Sequence, residues 1–310
     1  MTFDAERLKG VFTALVTPFR DGKVDTAAFE ALVERQIAAG VAGLVTAGTT
    51  GEAATLRQDE IDDLVARTVR IARGRVMVIA GAGTNDTLAT IEKARRAESS
   101  GADGLLVVTP YYNKPSQRGL LQHYGAVADA TGLPVMLYSV PGRCGVEIAV
   151  ETCAALRDRH DNIVAIKEAG GSVERVTRLR RQCGGDFPIH SGDDALTLAF
   201  LAAGAVGVTS VVSNVAPEGM VALVRAWQAG DAARALALHE QLAELAEILF
   251  IEPNPVPAKA ALALEGLANA DLRLPLTPME PANLDRLRGV MHRYRSSGAT
   301  PLRQGAVGGG

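Results

Sequence analysis

The strongest constraint on this chain is an alternation that repeats eight times. Short apolar runs of strand length stand at 11–17 (VFTALVT), 41–46 (VAGLVT), 76–80 (VMVIA) and 104–109 (GLLVVT). Four more stand at 134–138 (PVMLY), 163–167 (IVAIK), 187–191 (FPIHS) and 206–211 (VGVTSV). Several are apolar at nearly every position, as strands buried on both faces should be. Stretches of helical length lie between them. In 27–39, for example, Ala28, Leu32, Val33 and Ile37 recur at helical spacing. A faint internal repeat marks the junctions: AAGVAGLV (38–45), SSGADGLLV (99–107) and AAGAVGVTSV (202–211) each read as helix end, glycine, strand. Glycine is the usual residue where a helix stops in the left-handed conformation. Eight strand–helix units in about 230 residues predict an α/β fold, a (β/α)8 TIM barrel. A doubly wound sheet is the alternative. Its best nucleotide motif, GAGTND at 81–86, lacks the third glycine and the right context. After residue 230 the pattern is helical only, over 231–250, 257–268 and 281–297. The expected organisation is a barrel over 1–230 and additional C-terminal helices over 231–300, packed on the barrel or in an oligomer contact. A flexible glycine-rich tail is expected over 301–310.

Composition narrows the function classes. A chain of 310 residues that is 47% hydrophobic can bury a large core, and aromatic residues at 4% make that core aliphatic. A net charge of -3 and a pI near 6.0 argue against a nucleic-acid partner, which asks for a basic face. No apolar run reaches the roughly 18 residues of a membrane span. The N-terminal MTFDAERLKG is charged and mixed, unlike a signal peptide. Cys144, Cys153 and Cys183 are odd in number and irregularly spaced, which fits a reducing cytosol rather than a disulfide framework. The five histidines (His123, His160, His190, His239, His292) lack zinc-ligand spacing.

In such barrels the active site lies at the C-terminal ends of the strands. At those ends this chain carries AGTTGE (47–52), GAGTND, TPYYNKP (109–115), LYSVPGRCG (137–145), Lys167 with EAGG, SGDD (191–194) and TSVVSN (209–214). Hydroxyls, glycines, an arginine and a lysine converge on one rim. Each also has a plainer reading. TTGE (49–52) matches a helix capping box, but so does TLRQ (55–58), nearer the helical pattern that starts at Asp59. Thr49, Thr50 and Gly51 are then free to form a turn whose N–H groups receive a carboxylate, and capping and binding stand about equal. The two aspartates of SGDD read better as an N-cap for a helix from 195 than as metal ligands. Tyr111 and Tyr112 read as core or interface aromatics. Arg143 is either a solvated loop residue or a positioned guanidinium.

Lys167 is the sharpest case, one of six lysines against 26 arginines. Strand alternation puts Ile163, Ala165 and Lys167 on one face and Val164, Ile166 and Glu168 on the other. An inward first face would set the amine at the top of the lumen. An amine taken out of water loses its proton more easily, and a neutral amine can form a Schiff base with a ketone. The plainer reading is a lysine paired with a buried carboxylate or snorkelling to water. Strand grammar alone leans slightly toward that one.

The collected set shifts the balance. GTTGEAATL (48–56), TPYYNKPSQRGLLQHY (109–124), LYSVPGRCG (137–145), IVAIKEAGG (163–171), SGDD (191–194) and IEPNPVPAK (251–259) occur here in combination and in order. The chain thereby resembles, from about residue 8 to residue 297, the pyruvate-dependent class I lyases of the dihydrodipicolinate synthase and N-acetylneuraminate lyase family. The resemblance implies a (β/α)8 barrel with C-terminal helices, assembled as a homotetramer of two tight dimers. It also implies a cytoplasmic enzyme without metal or organic cofactor. It assigns the Schiff-base lysine to Lys167 and a proton-relaying tyrosine to Tyr138. Thr49 links that tyrosine to Tyr112, which enters from the neighbouring subunit. The pyruvate carboxylate falls on Thr49 and Thr50, with Gly192 and Thr209 at the pocket. A relay of this kind is worth about 10²–10⁴-fold.

An arginine in VPGRCG looks like the synthase branch, where Arg143 would take the carboxylate of aspartate semialdehyde bidentately. The expected reaction is condensation of pyruvate with L-aspartate 4-semialdehyde to 4-hydroxy-tetrahydrodipicolinate, toward lysine and diaminopimelate. The rivals are an aldolase or dehydratase of the same family acting on a sugar-derived 2-oxo acid, and a non-catalytic barrel. Ser139, Cys144 and Thr209 depart from the usual synthase text. In the family's lysine-inhibition site, Tyr111 and Asn85 match, while Gln58, Ile61 and Ala89 replace two histidines and a glutamate. Without that carboxylate the effector's ammonium has no ionic partner, so inhibition by lysine is expected to be weak or absent.

Overall fold

The computed structural model describes residues 3–297, and the tail expected over 301–310 lies outside them. Eight parallel strands close into a barrel: β1 (Gly10–Ala14), β2 (Gly43–Thr46), β3 (Met77–Gly81), β4 (Gly104–Val108), β5 (Val135–Ser139), β6 (Ile163–Glu168), β7 (Ile189–Ser191) and β8 (Gly207–Ser210). Each pairs with its sequence neighbour, and β8 closes on β1 through Gly10 opposite Gly207 and Phe12 opposite Thr209. After each strand comes a helix: α1 (Thr26–Ala39), α2 (Gln58–Ala72), α3 (Thr87–Ser99), α4 (Gln117–Asp129), α5 (Val150–Arg159), α6 (Val173–Cys183), α7 (Thr197–Ala202) and α8 (Pro217–Gln228). The chain then adds α9 (Ala232–Ile248), α10 (Val256–Leu264) and α11 (Pro281–Ser296). The repeated glycines do what the pattern asked of them: Gly40, Gly101 and Gly204 all turn the chain at positive φ (84°, 85° and 101°).

Two apolar layers surround the strands. Outward-facing strand residues pack on the helices, and Leu242 of α9 and Leu287 of α11 join the same cluster as Leu32 of α1 and Val221 of α8. Inward-facing residues, among them Phe12, Val45, Ile79, Leu106, Met136 and Ala165, fill the lumen. Phe12 needs the space beside β2, since a Cβ on Gly43 would lie 2.2 Å from its ring.

The even alternation expected along β6 breaks once. Val135 pairs with Ile163, but Met136 pairs with Ala165, so Val164 is an extra residue on the β6 side. Such a bulge shifts the phase of the strand. Ile163 therefore joins the outer layer with Ile166, and Val164 packs toward the lumen. From Ala165 onward the expected faces hold.

Two local expectations are corrected. α2 starts at Gln58 after Arg57, whose N–H is received by Glu60 Oε2 at 2.9 Å; Thr55 instead donates to the Glu52 carbonyl at 3.1 Å. The aspartates of SGDD do not cap α7, which begins at Thr197 after Leu196. Asp193 Oδ1 receives the N–H of Ala195 at 2.9 Å in a tight turn. Asp194 Oδ2 receives the N–H groups of Val211 and Val212 at 2.8 and 3.1 Å, tying the end of β8. Buried amides outcompeted the helix start for that carboxylate.

Candidate active site

Lys167, one residue before the end of β6, faces the lumen and is 5% exposed. Tyr138 of β5 and His190 of β7 are its register partners on either side. Its Nζ stands 4.3 Å from the centre of the Tyr138 ring. Among the described residues no carboxylate pairs with it, because the buried acids nearby are taken. Glu168, on the outer face, receives Arg175 Nε at 2.7 Å and the Gly170 N–H at 2.7 Å. Asp194 is committed to β8. Lys259 supplies the contrast: its Nζ lies 2.6 Å from Glu52 Oε1 and 2.9 Å from the Thr17 carbonyl. The plainer reading of a buried lysine thus describes Lys259 and not Lys167.

A polar pair lies beside Lys167. His190 Nε2 is 2.6 Å from the Leu8 carbonyl and Nδ1 is 3.0 Å from Thr209 Oγ1. A carbonyl only accepts, so Nε2 bears the proton and Nδ1 receives the Thr209 hydroxyl. Burial pushes His190 down to about 4, with the Leu8 carbonyl opposing and Lys167 adding to the drop. The imidazole is neutral, and the Thr209 hydroxyl is spent on it. Gly192 borders the lysine stem, where a Cβ would come within 3.1 Å of Lys167 Cε and 2.6 Å of Ala169 Cβ.

A cavity of about 380 Å3 opens at this end of the barrel, lined by Thr49, Tyr138, Arg143, Cys144, Asn254 and, on its α3 side, Lys93 and Tyr111. After β2 the chain makes a series of tight turns. The N–H groups of Gly51, Glu52 and Ala53 go to the carbonyls of Gly48, Thr49 and Gly48. Those of Thr49 and Thr50 have no acceptor among the described residues. Two successive free N–H groups form a receptor for an anion. Ala47 and Glu52 flank this segment at positive φ (55° each), a conformation seldom held by residues other than glycine. Glu52 caps no helix; its carboxylate goes to Lys259.

Thr50 is buried, and its Oγ1 accepts from Asn254 Nδ2 at 3.0 Å. The Asn254 carbonyl lies 3.5 Å from Arg143 Nη2, so one asparagine touches both the turn and the arginine. Arg143 rides a one-turn helix, Pro141–Cys144, ended by Gly145 in the left-handed conformation. Its guanidinium has no carboxylate partner among the described residues. Burial pushes the Cys144 thiol up to about 11, so it presents a neutral wall.

The fold brings Lys167, Tyr138, Thr49, Thr50, Arg143 and Gly192 to one end of the barrel. Tyr112 is not among the cavity-lining residues of its own chain: it stands 89% exposed with φ 73°. Its neighbour Tyr111 lines the cavity instead. Sequence reasoning missed Asn254 and His190 as site residues. A histidine inside an otherwise apolar strand, and an asparagine between prolines in IEPNPVPAK, were the available signals. A larger depression of about 1000 Å3 at the opposite end, lined by Phe3, Asp161 and the paired Arg157 and Asp186, is remote from Lys167. Among the described residues no cluster of three or more His, Cys, Asp or Glu is arranged around a metal position, and no helix is long and apolar enough to cross a membrane.

Similarity to known proteins extends over nearly the whole chain. The dihydrodipicolinate synthetase family matches residues 7–293. The 4-hydroxy-tetrahydrodipicolinate synthase of Pelobacter propionicus is 48% identical over 286 residues, covering 92% of this chain and 98% of that protein. The enzyme of the same name from Nitratidesulfovibrio vulgaris (strain Miyazaki F) is 46% identical over 285 residues, covering 92% and 98%. Among solved structures, the 4-hydroxy-tetrahydrodipicolinate synthase of Methylacidiphilum fumariolicum SolV superposes with a TM-score of 0.92 at 48% identity, covering 93% of this chain and 96% of that one.

Proposed function

The chain belongs to the dihydrodipicolinate synthetase family, and from that premise we propose that it condenses pyruvate with L-aspartate 4-semialdehyde to 4-hydroxy-tetrahydrodipicolinate. The observation that carries the reading is Lys167, buried with no counter-ion among the described residues, at a barrel end that also carries free N–H groups and an arginine with no carboxylate partner among them.

The Thr49 and Thr50 N–H groups receive the pyruvate carboxylate and orient its ketone toward Lys167. Nζ adds to the carbonyl carbon, water leaves, and a protonated imine remains. The Tyr138 hydroxyl carries protons to and from the carbon centre's oxygen, with Thr49 linking it to a Tyr112 from a second chain. The imine is the electron sink, so loss of a methyl proton gives an enamine without metal or organic cofactor. Arg143 takes the carboxylate of the semialdehyde, and the enamine carbon attacks its aldehyde. The amino group of the same substrate then adds to the imine carbon, closes the ring and expels Lys167 as a free amine. The working form we infer is a cytoplasmic homotetramer, in which each site is completed across a dimer contact.

Borohydride reduction in the presence of pyruvate should add one reduced pyruvyl group to Lys167, read by peptide mass. Lys167→Arg should abolish the addition with circular dichroism unchanged. No added mass on the wild-type protein ends the imine reading. Turnover of pyruvate with aspartate semialdehyde, measured against a panel of 2-oxo sugar acids, tests the second substrate; preference for a sugar acid moves the chain to the rival branch.

A further inference from the structure

Two polar side chains, His190 and Thr209, stand beside Lys167 in a lumen otherwise filled by apolar ones such as Leu8, Phe12, Met136 and Ala165. They are 0% and 1% exposed. Burying an imidazole and a hydroxyl costs free energy unless both are bonded, and an apolar pair of the same shape would fill the space without that cost. The proposed reaction does not use the couple, yet His190 is the register partner of the reacting lysine. Its geometry is fixed from three sides. The Leu8 carbonyl, 2.6 Å from Nε2, sets the tautomer. Phe12 crosses the imidazole at 73° with the ring centres 5.0 Å apart, which holds the ring plane. Thr209 Oγ1, 3.0 Å from Nδ1, must then donate.

Both donors of this chain point away from the rim. The Thr209 O–H gives to His190, and the His190 N–H gives to a carbonyl that precedes β1. The hydrogen of the hydroxyl is committed, so what remains on Oγ1 can only accept. Hydrogen bonds aligned in series polarise one another, which makes that oxygen a better acceptor. Thr209 follows Val208, the register partner of Ser191, and Gly192 follows Ser191. At this level β7 therefore brings no side chain between Thr209 and Lys167, and a Cβ on Gly192 would already come within 3.1 Å of Lys167 Cε. In the free chain Nζ turns over the Tyr138 ring at 4.3 Å. Imine formation makes that nitrogen planar and cationic, with one N–H in need of an acceptor. The buried carboxylates nearby, Glu168 and Asp194, are committed elsewhere.

We propose that His190 is a positioning residue for the reaction: it holds the Thr209 hydroxyl as a fixed acceptor for the N–H of the imine on Lys167. The proposal rests on the imine reading of Lys167. A hydrogen bond to the charged form keeps the imine protonated to higher pH. The protonated form is the electron sink: as a methyl proton leaves to the Tyr138 relay, the C–H electron pair moves toward nitrogen and the enamine forms. With leucine at position 190 the Thr209 hydroxyl turns freely and can donate to the neutral imine, favouring the form that is the poorer sink. Among the described residues, the titratable groups facing the couple are Lys167 on β6 and, beyond it, Tyr138 on β5. β1 brings Phe12, and Glu168 is turned outward to Arg175. His190, held by burial down to about 4, stays neutral throughout the alkaline range.

The experiment follows exchange of the pyruvate methyl protons for deuterium in heavy water, read by proton NMR across the alkaline range with no second substrate. Borohydride capture at Lys167 is measured alongside. In His190→Leu and in Thr209→Val, capture should persist while the alkaline limb of exchange moves down by about one pH unit, so that exchange on that limb falls about tenfold. His190→Leu/Thr209→Val should be no worse than either single variant, because the two residues act as a unit. His190→Asn, whose amide oxygen can take the place of Nδ1, should restore the limb. A space-filling role alone would lower capture or folding and leave the limb in place. Capture with an unmoved limb in Thr209→Val overturns the proposal, as do additive losses in the double variant, or a His190→Asn chain that behaves like His190→Leu. If His190→Leu does not fold, Thr209→Val, which keeps the shape of the side chain, decides alone. Absence of capture in the wild-type chain overturns the imine reading and this proposal with it, so capture tells the two failures apart.

Discussion

His190 and Thr209 stand as a hydrogen-bonded couple in a layer of apolar lumen side chains, and their consequence is a dependence of stability on acid. In the folded chain His190 titrates near 4, below its ordinary 6.5. A depressed value means that the unfolded chain takes up the proton first as pH falls. The contribution is therefore complete above 6.5 and lost as pH drops through 4, in total roughly 3 kcal/mol. Urea midpoints measured across that interval should fall less steeply for His190→Leu/Thr209→Val than for the wild-type chain. Equal slopes would show that the imidazole is not held neutral. At this scale the sequence was legible in position, since Lys167, Arg143 and Thr49 do stand at one end of the barrel. It was silent where a role depends on a distant partner. His190 meets a carbonyl 182 residues away, and Asn254 meets a hydroxyl 204 residues away. No local pattern encodes either meeting.

Among the elements, the turn after β2 and helix α10 are joined by the buried pair of Glu52 and Lys259. Breaking such a pair from one side leaves a charge without a partner and costs ~3–5 kcal/mol. Lys259→Met should lower the free energy of unfolding by about that much, and Lys259→Met/Glu52→Gln should recover part of it; a neutral single variant would contradict the assignment. The pair also fixes the segment that offers the Thr49 and Thr50 N–H groups, so pyruvate trapping should weaken in the same single variant. Element order, strand positions and the added C-terminal helices were readable because each rests on periodicity or on glycine punctuation. The β6 bulge and the fate of Asp194 were not. A bulge adds one residue without altering composition, and Asp194 answers amides of Val211 and Val212 across a helix and a strand. The bulge matters because it sets the phase that delivers Lys167 inward.

For the whole molecule, the charge at the α3 end of the cavity bears on regulation. Ala89 removes the carboxylate expected to receive lysine's ammonium, and Lys93 on the same face of α3 adds a repelling charge. Initial rates with lysine added should show little or no inhibition, and strong inhibition would refute this. Tyr112 bears on assembly. It stands outside its own chain's cavity, held by a left-handed backbone with its ring in solvent. Tyr112→Phe should impair turnover while leaving pyruvate trapping at Lys167 in place, and normal turnover would contradict the shared site. If each chain lends its ring to a neighbour, two defective proteins can repair one another. A Tyr112→Phe chain keeps its amine, and a Lys167→Arg chain keeps its tyrosine. Mixed by unfolding and refolding together, they should pair into dimers with one intact centre and regain activity that neither shows alone. On that reading, catalysis would follow complementation genetics, inherited from the pair and not from the single polypeptide.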